Sequence, residues 1–202
     1  MQFGILYGYK LYLRKFKFCI DNLTNQMTKQ PNKKSAAKSA GVPVSESDTN
    51  TRLNILKKLR IIIRTAAQHS SWIDKQCGVN GAQLWIMQEL QEAGELRVGE
   101  LTVKLAVHQT TTSNLVDDLE KRGFVTKSRS KSDQRVVTVM LTEKGAATLL
   151  KAPKPARGLL PEALLQLEHD RLIELDNGLQ GLLDSIEMLD EEFGMLPLPF
   201  TL

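Results

Sequence analysis

The chain has 202 residues, 42% hydrophobic and 25% charged, which suits one globular core with room for appendages. No uninterrupted apolar run approaches the ~18–20 residues of a membrane-spanning helix, so a soluble protein of the bacterial or archaeal cytoplasm, with no membrane partner, is expected. The net charge of +4 is unevenly placed. Residues 1–52 hold nine Lys/Arg against three acids, residues 94–144 nine against seven, and residues 145–202 four against ten. Bulk basicity therefore belongs to the N-terminal stretch, and the local placement of charge is the better guide to partners.

Residues 1–26 are apolar and aromatic but broken by Lys10, Arg14, Lys15 and Lys17. They lack a small-residue cleavage site, which argues against a secretory leader. A surface-seeking amphipathic helix and a true start at Met27 both fit. Residues 28–50 are rich in Lys, Ser, Ala and Pro and offer little to bury. Residues 1–51 are therefore expected to be a disordered basic extension, preceding one ordered domain over 52–192 and a tail over 193–202.

Within the domain, Ile55, Leu59, Ile62, Ile63 and Ala66 recur at helical spacing, predicting a long helix over about 53–76 that ends at Cys77-Gly78. A second helix comes next, with Leu84, Met87 and Leu90 inward and Gly94 as its stop. Two more are predicted, Arg97 to Leu105 and Gln109 to Arg122, separated by Ala106-Val107-His108 and closed by Gly123. Leu101, Leu105, Val107, Thr112, Leu115 and Leu119 can then face inward. That leaves Gln109, Thr110, Thr111, Ser113 and Asn114 on the outer face of the second helix. Three consecutive threonines are poor helix formers, but short polar side chains suit base edges and phosphates. The bland alternative is a solvated helix face.

Phe124 to Ser128 and Val136 to Leu141 read as two strands. The intervening SRSKSDQR has no apolar residue and carries Arg129, Lys131 and Arg135, so a hairpin with a cationic, solvent-facing tip is expected. A helix-turn-helix joined to such a wing has duplex DNA as its usual partner. Thr142 is a plausible N-cap for the next helix, and Pro153, Pro155 and Pro161 interrupt the chain beyond that helix. From about 167 to 190, Leu172, Leu175, Leu179, Leu182, Ile186 and Leu189 alternate three- and four-residue steps, a heptad seam. Together with helix 53–76 this predicts a homodimer interface, the alternative being packing within the chain. The final apolar, proline-broken residues carry no readable pattern.

The run LVDDLEKRGFV, trailed at fixed spacing by SDQRVVTVMLTEKG, resembles the MarR-type winged-helix transcriptional regulators. The resemblance covers roughly 53–190, with its specific motif confined to 96–145. It implies a mainly α fold with a small β-hairpin wing, a DNA-binding lobe over about 80–145, and N- and C-terminal dimerisation helices. It further implies a homodimeric repressor on a pseudo-palindromic operator, released by a small-molecule effector. By position, Arg135 matches the wing arginine that enters the minor groove and Asp133 the acid that braces it. The effector pocket of the family lies where His69, Trp72 and Trp85 fall, although both tryptophans also suit an ordinary core. Four positions depart from the family pattern: Asp118 where Arg is frequent, His108 at the Ser-like cap, Ala106 for the turn Gly, and Gln134 for a second wing Arg.

No Gly-rich phosphate loop and no His/Cys metal spacing is present, and His69, His108 and His169 suggest no catalytic pairing. An enzyme, a cofactor and a bound metal are therefore not expected. Cys19 and Cys77 form no disulfide framework. Two further alternatives remain: a regulator that senses redox state through Cys77, and a winged-helix protein-interaction module that reads no DNA.

Overall fold

The computed structural model describes residues 45–129, 137–187 and 190–202. Seven α-helices, three strands and two short 3-10 turns are described, in the order α1 (Glu46–Cys77), α2 (Gly81–Ala93), β1 (Glu95–Arg97), α3 (Val98–Leu105), α4 (Gln109–Lys121), β2 (Val125–Arg129), β3 (Val137–Leu141), α5 (Glu143–Lys151), α6 (Leu159–Leu165) and α7 (His169–Leu183), then 3-10 turns at Glu191–Met195 and Pro199–Thr201. The architecture is mainly helical with a small antiparallel sheet, a helix-turn-helix running into a hairpin.

α2 is the hub. Asn80 caps it reciprocally: its side chain accepts the Gln83 N–H at 2.8 Å, and the Gln83 side chain accepts the Asn80 N–H at 3.1 Å. Such a capping box satisfies two donors the helix would leave orphaned. Leu84, Ile86, Met87 and Leu90 are almost completely buried. Around them close Ile73 of α1, Leu101 of α3, Val116 and Leu119 of α4, Val125 of β2 and Val139 of β3. Each fully buried side chain of this size contributes about 1.5–3 kcal/mol, so this lobe carries a complete core.

The sheet has the order β1-β3-β2, with Leu96 opposite Val139 and Val125 opposite Leu141. The expected hairpin is β2–β3: β2 lies one residue later than the span its composition suggests, and β3 ends at Leu141 as expected. β1 has no counterpart in the sequence pattern. That pattern opens the helix at Arg97, but Glu95–Arg97 pairs with β3 and the helix begins at Val98. Three residues are too short a run for alternation to show.

Two glycines fix this arrangement, one by its backbone conformation and one by a close approach. Gly123 takes φ +74° where α4 turns into β2, a left-handed conformation that costs side-chain-bearing residues about 1–2 kcal/mol. Gly145, in the first turn of α5, leaves no room for a side chain: a Cβ there would lie 2.2 Å from the Phe124 carbonyl oxygen. Thr142 caps α5, its hydroxyl accepting the Gly145 N–H at 3.0 Å.

Several expected boundaries change. α1 begins at Glu46, so residues 46–51, assigned to the disordered extension, are helical; Glu46 and Asp48 in its first turn favour the positive end of the helix dipole. α7 spans His169–Leu183 rather than 167–190, so Ile186 lies past the helix end. Leu189 lies outside the described residues. The tail does not trail away either. Its second 3-10 turn, Pro199–Thr201, folds back onto α1 and α2, because the apolar side chains around it find a surface there. Among the described residues, no helix is long and apolar enough to cross a membrane.

Candidate nucleic-acid interface and adjoining cavity

α4 is held from beneath. Thr112, Leu115, Val116 and Leu119 are buried, and Leu105 and Val107 close the turn before it. All six residues expected to face inward in this motif do so. With that side fixed, Gln109, Thr110 and Asn114 are exposed and Thr111 and Ser113 half-buried on the outer side. Of the three threonines, Thr112 belongs to the core, its N–H donating to the His108 carbonyl at 3.1 Å. Gln109 and Ser113 also line an open groove of about 500 Å³ between α4 and the wing base, with Arg97 and Lys127 on its sides. Arg97 is not among the expected site residues, because nothing in sequence marks a cation delivered by so short a strand.

The turn places a side chain in a conformation that glycine favours. Ala106 takes φ +51°, ψ +44°, the left-handed conformation that glycine adopts without strain. His108 is the N-cap of α4, as expected, but its side chain makes no cap bond. Its backbone N–H donates instead to the Met195 carbonyl, 3.0 Å away in the tail.

The acids on the second half of α4 are engaged within the protein. Lys127 of β2 sits 2.7 Å from both Asp117 and Glu120, and these hydrogen bonds raise its pKa above the ordinary lysine value. Lys127 thus ties wing to helix. Asp118 accepts from Gln83 at 2.6 Å and pairs with Arg122 at 3.4 Å, so its carboxylate is turned toward α2 and is partly neutralised. Arg122 and Lys144 both lie over the Phe124 ring, at 5.0 and 4.6 Å.

Of the wing residues expected to contact DNA, Lys131, Asp133 and Arg135 lie outside the described residues, as does the side chain of Arg129. The described part places the strands that would present them: Arg129 stands opposite Val137 at the distal end of the hairpin.

Behind the helix-turn-helix lies a largely apolar cavity of about 190 Å³. Of the three expected pocket residues, His69 and Trp85 line it. Trp72 does not; it is half-exposed on α1, edge-on to His69 with centroids 6.1 Å apart. His69 Nε2–H donates to the Pro155 carbonyl at 2.9 Å, and Trp85 donates to Glu89 at 3.0 Å. Glu89 is buried against Arg157 at 2.6 Å and Lys104 at 3.0 Å. Burial alone would raise its pKa, but the bonds from Arg157, Lys104 and Trp85 outweigh that and hold it below the ordinary value. Arg157, which borders the cavity, is also engaged by Glu92. The lining from the tail (Pro197, Leu198, Phe200 and Thr201) and Arg157 had no sequence signal beyond apolar composition and a lone charge.

Cys77 is half-buried, and burial pushes its thiol up. Reactive cysteines need the opposite shift, so the redox-sensing alternative loses ground. Among the described residues no cluster of His, Cys, Asp and Glu could hold a metal.

The MarR family profile matches residues 79–137, which run from just before α2 to the first residue of β3. Over this stretch the chain is similar to the MarR family. It is 32% identical over 105 residues to the transcriptional repressor MprA of Escherichia coli K12, covering 50% of this chain and 60% of MprA. It is 30% identical over 102 residues to the transcriptional repressor MdtR of Bacillus subtilis, covering 50% of this chain and 65% of MdtR. The chain thus spans less than two thirds of the length of these relatives. Among solved structures, the MarR-family regulator Sco3205 of Streptomyces coelicolor in complex with DNA aligns at a TM-score of 0.48 and 16% identity, over 75% of this chain and 94% of that one.

Proposed function

We propose that the protein is a DNA-binding transcriptional regulator, a homodimer that recognises a pseudo-palindromic operator and is released by a small ligand. The observation that carries this reading is the two-sidedness of α4. Its inner side is locked into the core, and its outer side offers Gln109, Thr110, Thr111, Ser113 and Asn114 on its first turns, beside a hairpin. A recognition helix needs that rigid base and those short polar groups in the major groove. The relatives named as repressors support the regulatory role. The homodimer is supported by the apolar side chains that α1 and α7 leave exposed. Arg129, Lys131, Asp133 and Arg135 are assigned to the DNA-binding wing, with Arg135 entering the minor groove and Asp133 bracing it.

Selection of operators from a random library, combined with salt titration, tests this. Arg135→Ala should weaken every site by about 1–3 kcal/mol and flatten the salt dependence. Thr111→Ala and Asn114→Ala should relax preference at particular base pairs, each by about 1–3 kcal/mol. If the folded dimer selects no sequence and shows no salt-dependent affinity, the DNA-binding reading fails and a protein-interaction module takes its place.

A further inference from the structure

The cavity behind the helix-turn-helix is too small for the role a ligand-responsive regulator would give it. Sites for drug-sized ligands run to about 300–1,000 Å³, against about 190 Å³ here. One wall has to move for such a molecule to enter, and the walls differ in how firmly they are held. α1 and α2 contribute Ile73, Ala82, His69 and Ser70, all buried. The other sides are less buried: α6, which contains no buried residue and lends Leu159, Leu160 and Leu164, and the tail, where Leu198, Phe200 and Thr201 face the cavity and which, unlike α6, ends the chain. Its two 3-10 turns contain no buried residue, and Leu196 and Leu198 are nearly half-exposed. The same tail reaches the recognition helix, since Met195 accepts the backbone N–H of its N-cap, His108.

We propose that the tail, residues 190–202, is a displaceable wall of the cavity, opened by an uncharged apolar ligand and reporting that opening to α4 through the Met195–His108 bond. The ligand class is set by the lining: the side chains are overwhelmingly apolar, and the bordering Arg157 is already neutralised by Glu89 and Glu92. A ligand that binds better with the tail displaced shifts the population toward that state, and the equilibrium moves by no more than this difference in affinity. The report to α4 rests on the DNA-binding reading; the displaceable wall does not.

The test locks the tail in place. A Cβ built on Gly81 would lie 3.6 Å from the Thr201 Cβ, within the spacing a disulfide spans. Gly81→Cys and Thr201→Cys are introduced with Cys19→Ser and Cys77→Ser. Ser70→Ala is added because its Oγ would lie 2.9 Å from the new Cβ. The same polypeptide is then compared oxidised and reduced, with circular dichroism confirming an unchanged fold. The probe is the uncharged fluorophore N-phenyl-1-naphthylamine. Reduced protein should bind it roughly tenfold or more tightly than oxidised protein. Equal affinity in the two states, no binding to the reduced form, or failure of the pair to oxidise would overturn the displaceable wall. In a second arm, the probe should weaken affinity for the selected operator in the reduced protein and leave the oxidised one unchanged. Gated probe binding without any effect on operator affinity would remove the link to His108. Failure to select an operator would sink the DNA-binding reading while the probe arm still decides the wall.

Discussion

The helix-turn-helix lobe and the terminal helices are built from similar proportions of apolar residues, and they finish differently. In the lobe, α2, α3, α4 and the hairpin close on one another, leaving Ile86, Met87, Leu101, Val116 and Val139 with no accessible surface. In α7 not one residue is buried, and Ile173, Leu175, Leu179, Leu182 and Leu183 stand 40–47% exposed. α1 is equally open as far as Thr65, with Ile61, Ile62 and Ile63 facing outward. One chain supplies every partner the lobe needs and only part of what the terminal helices need. An apolar surface this extensive marks an interaction site, and a second copy of the chain is the proposed cover.

The strongest test of that contrast is Leu179→Asp with Leu182→Asp. Each leucine buried in a dimer contributes about 1.5–3 kcal/mol, and charges there would be left without partners. The double variant is expected to sediment as a folded monomer that no longer binds operator. Wild-type protein that is already monomeric at micromolar concentration would leave the open faces without their proposed partner.

The lobe has its own breaking point at Gly145. Gly145→Ala places a methyl group against the Phe124 carbonyl and the Leu141 side chain, and overpacking of this kind costs about 3 kcal/mol. Urea denaturation should show a large loss of stability, felt in the lobe.

Glu89 sharpens the comparison from a polar direction, since it joins α2 to Lys104 of α3 and to Arg157 in the segment before α6. Its folded pKa is depressed, so its stabilisation is present above the ordinary glutamate range and is lost as pH falls through the lowered value. Glu89→Gln should cost about 2 kcal/mol near neutral pH, less than a fully buried pair because Arg157 keeps Glu92. It should also flatten the acid side of the stability profile. A profile identical in slope to that of the wild type would show that Glu89 does not carry it.

The smallest effect is expected at the turn. Ala106→Gly removes left-handed strain of about 1–2 kcal/mol and returns about 0.4–1 kcal/mol through the more flexible unfolded chain. A net gain near 0.5 kcal/mol should appear as a slightly raised denaturation midpoint, and a loss would mean that the Ala106 methyl makes a contact worth more than the strain.

Sequence alone determined the local matters. Leu101, Leu105, Thr112, Leu115 and Leu119 declare the inner side of the helix-turn-helix through 3.6-residue periodicity, and that side fixes by exclusion which residues of α4 face outward. Thr142 and Gly94 mark helix ends because capping and chain reversal depend on the few residues around them. The hairpin strands were legible because β-branched runs flanked a polar turn. Tertiary structure decided whatever depends on partners distant in the chain. Glu95–Arg97 is a strand only because β3 offers it an edge, and Lys127 is spent on Asp117 and Glu120 only because the hairpin lies against α4. The tail, proline-broken and without period, becomes a cavity wall because α1 and α2 leave an apolar surface for it to cover. Periodicity and capping are encoded within a few residues, whereas pairing across dozens of residues depends on where the whole chain has already been placed.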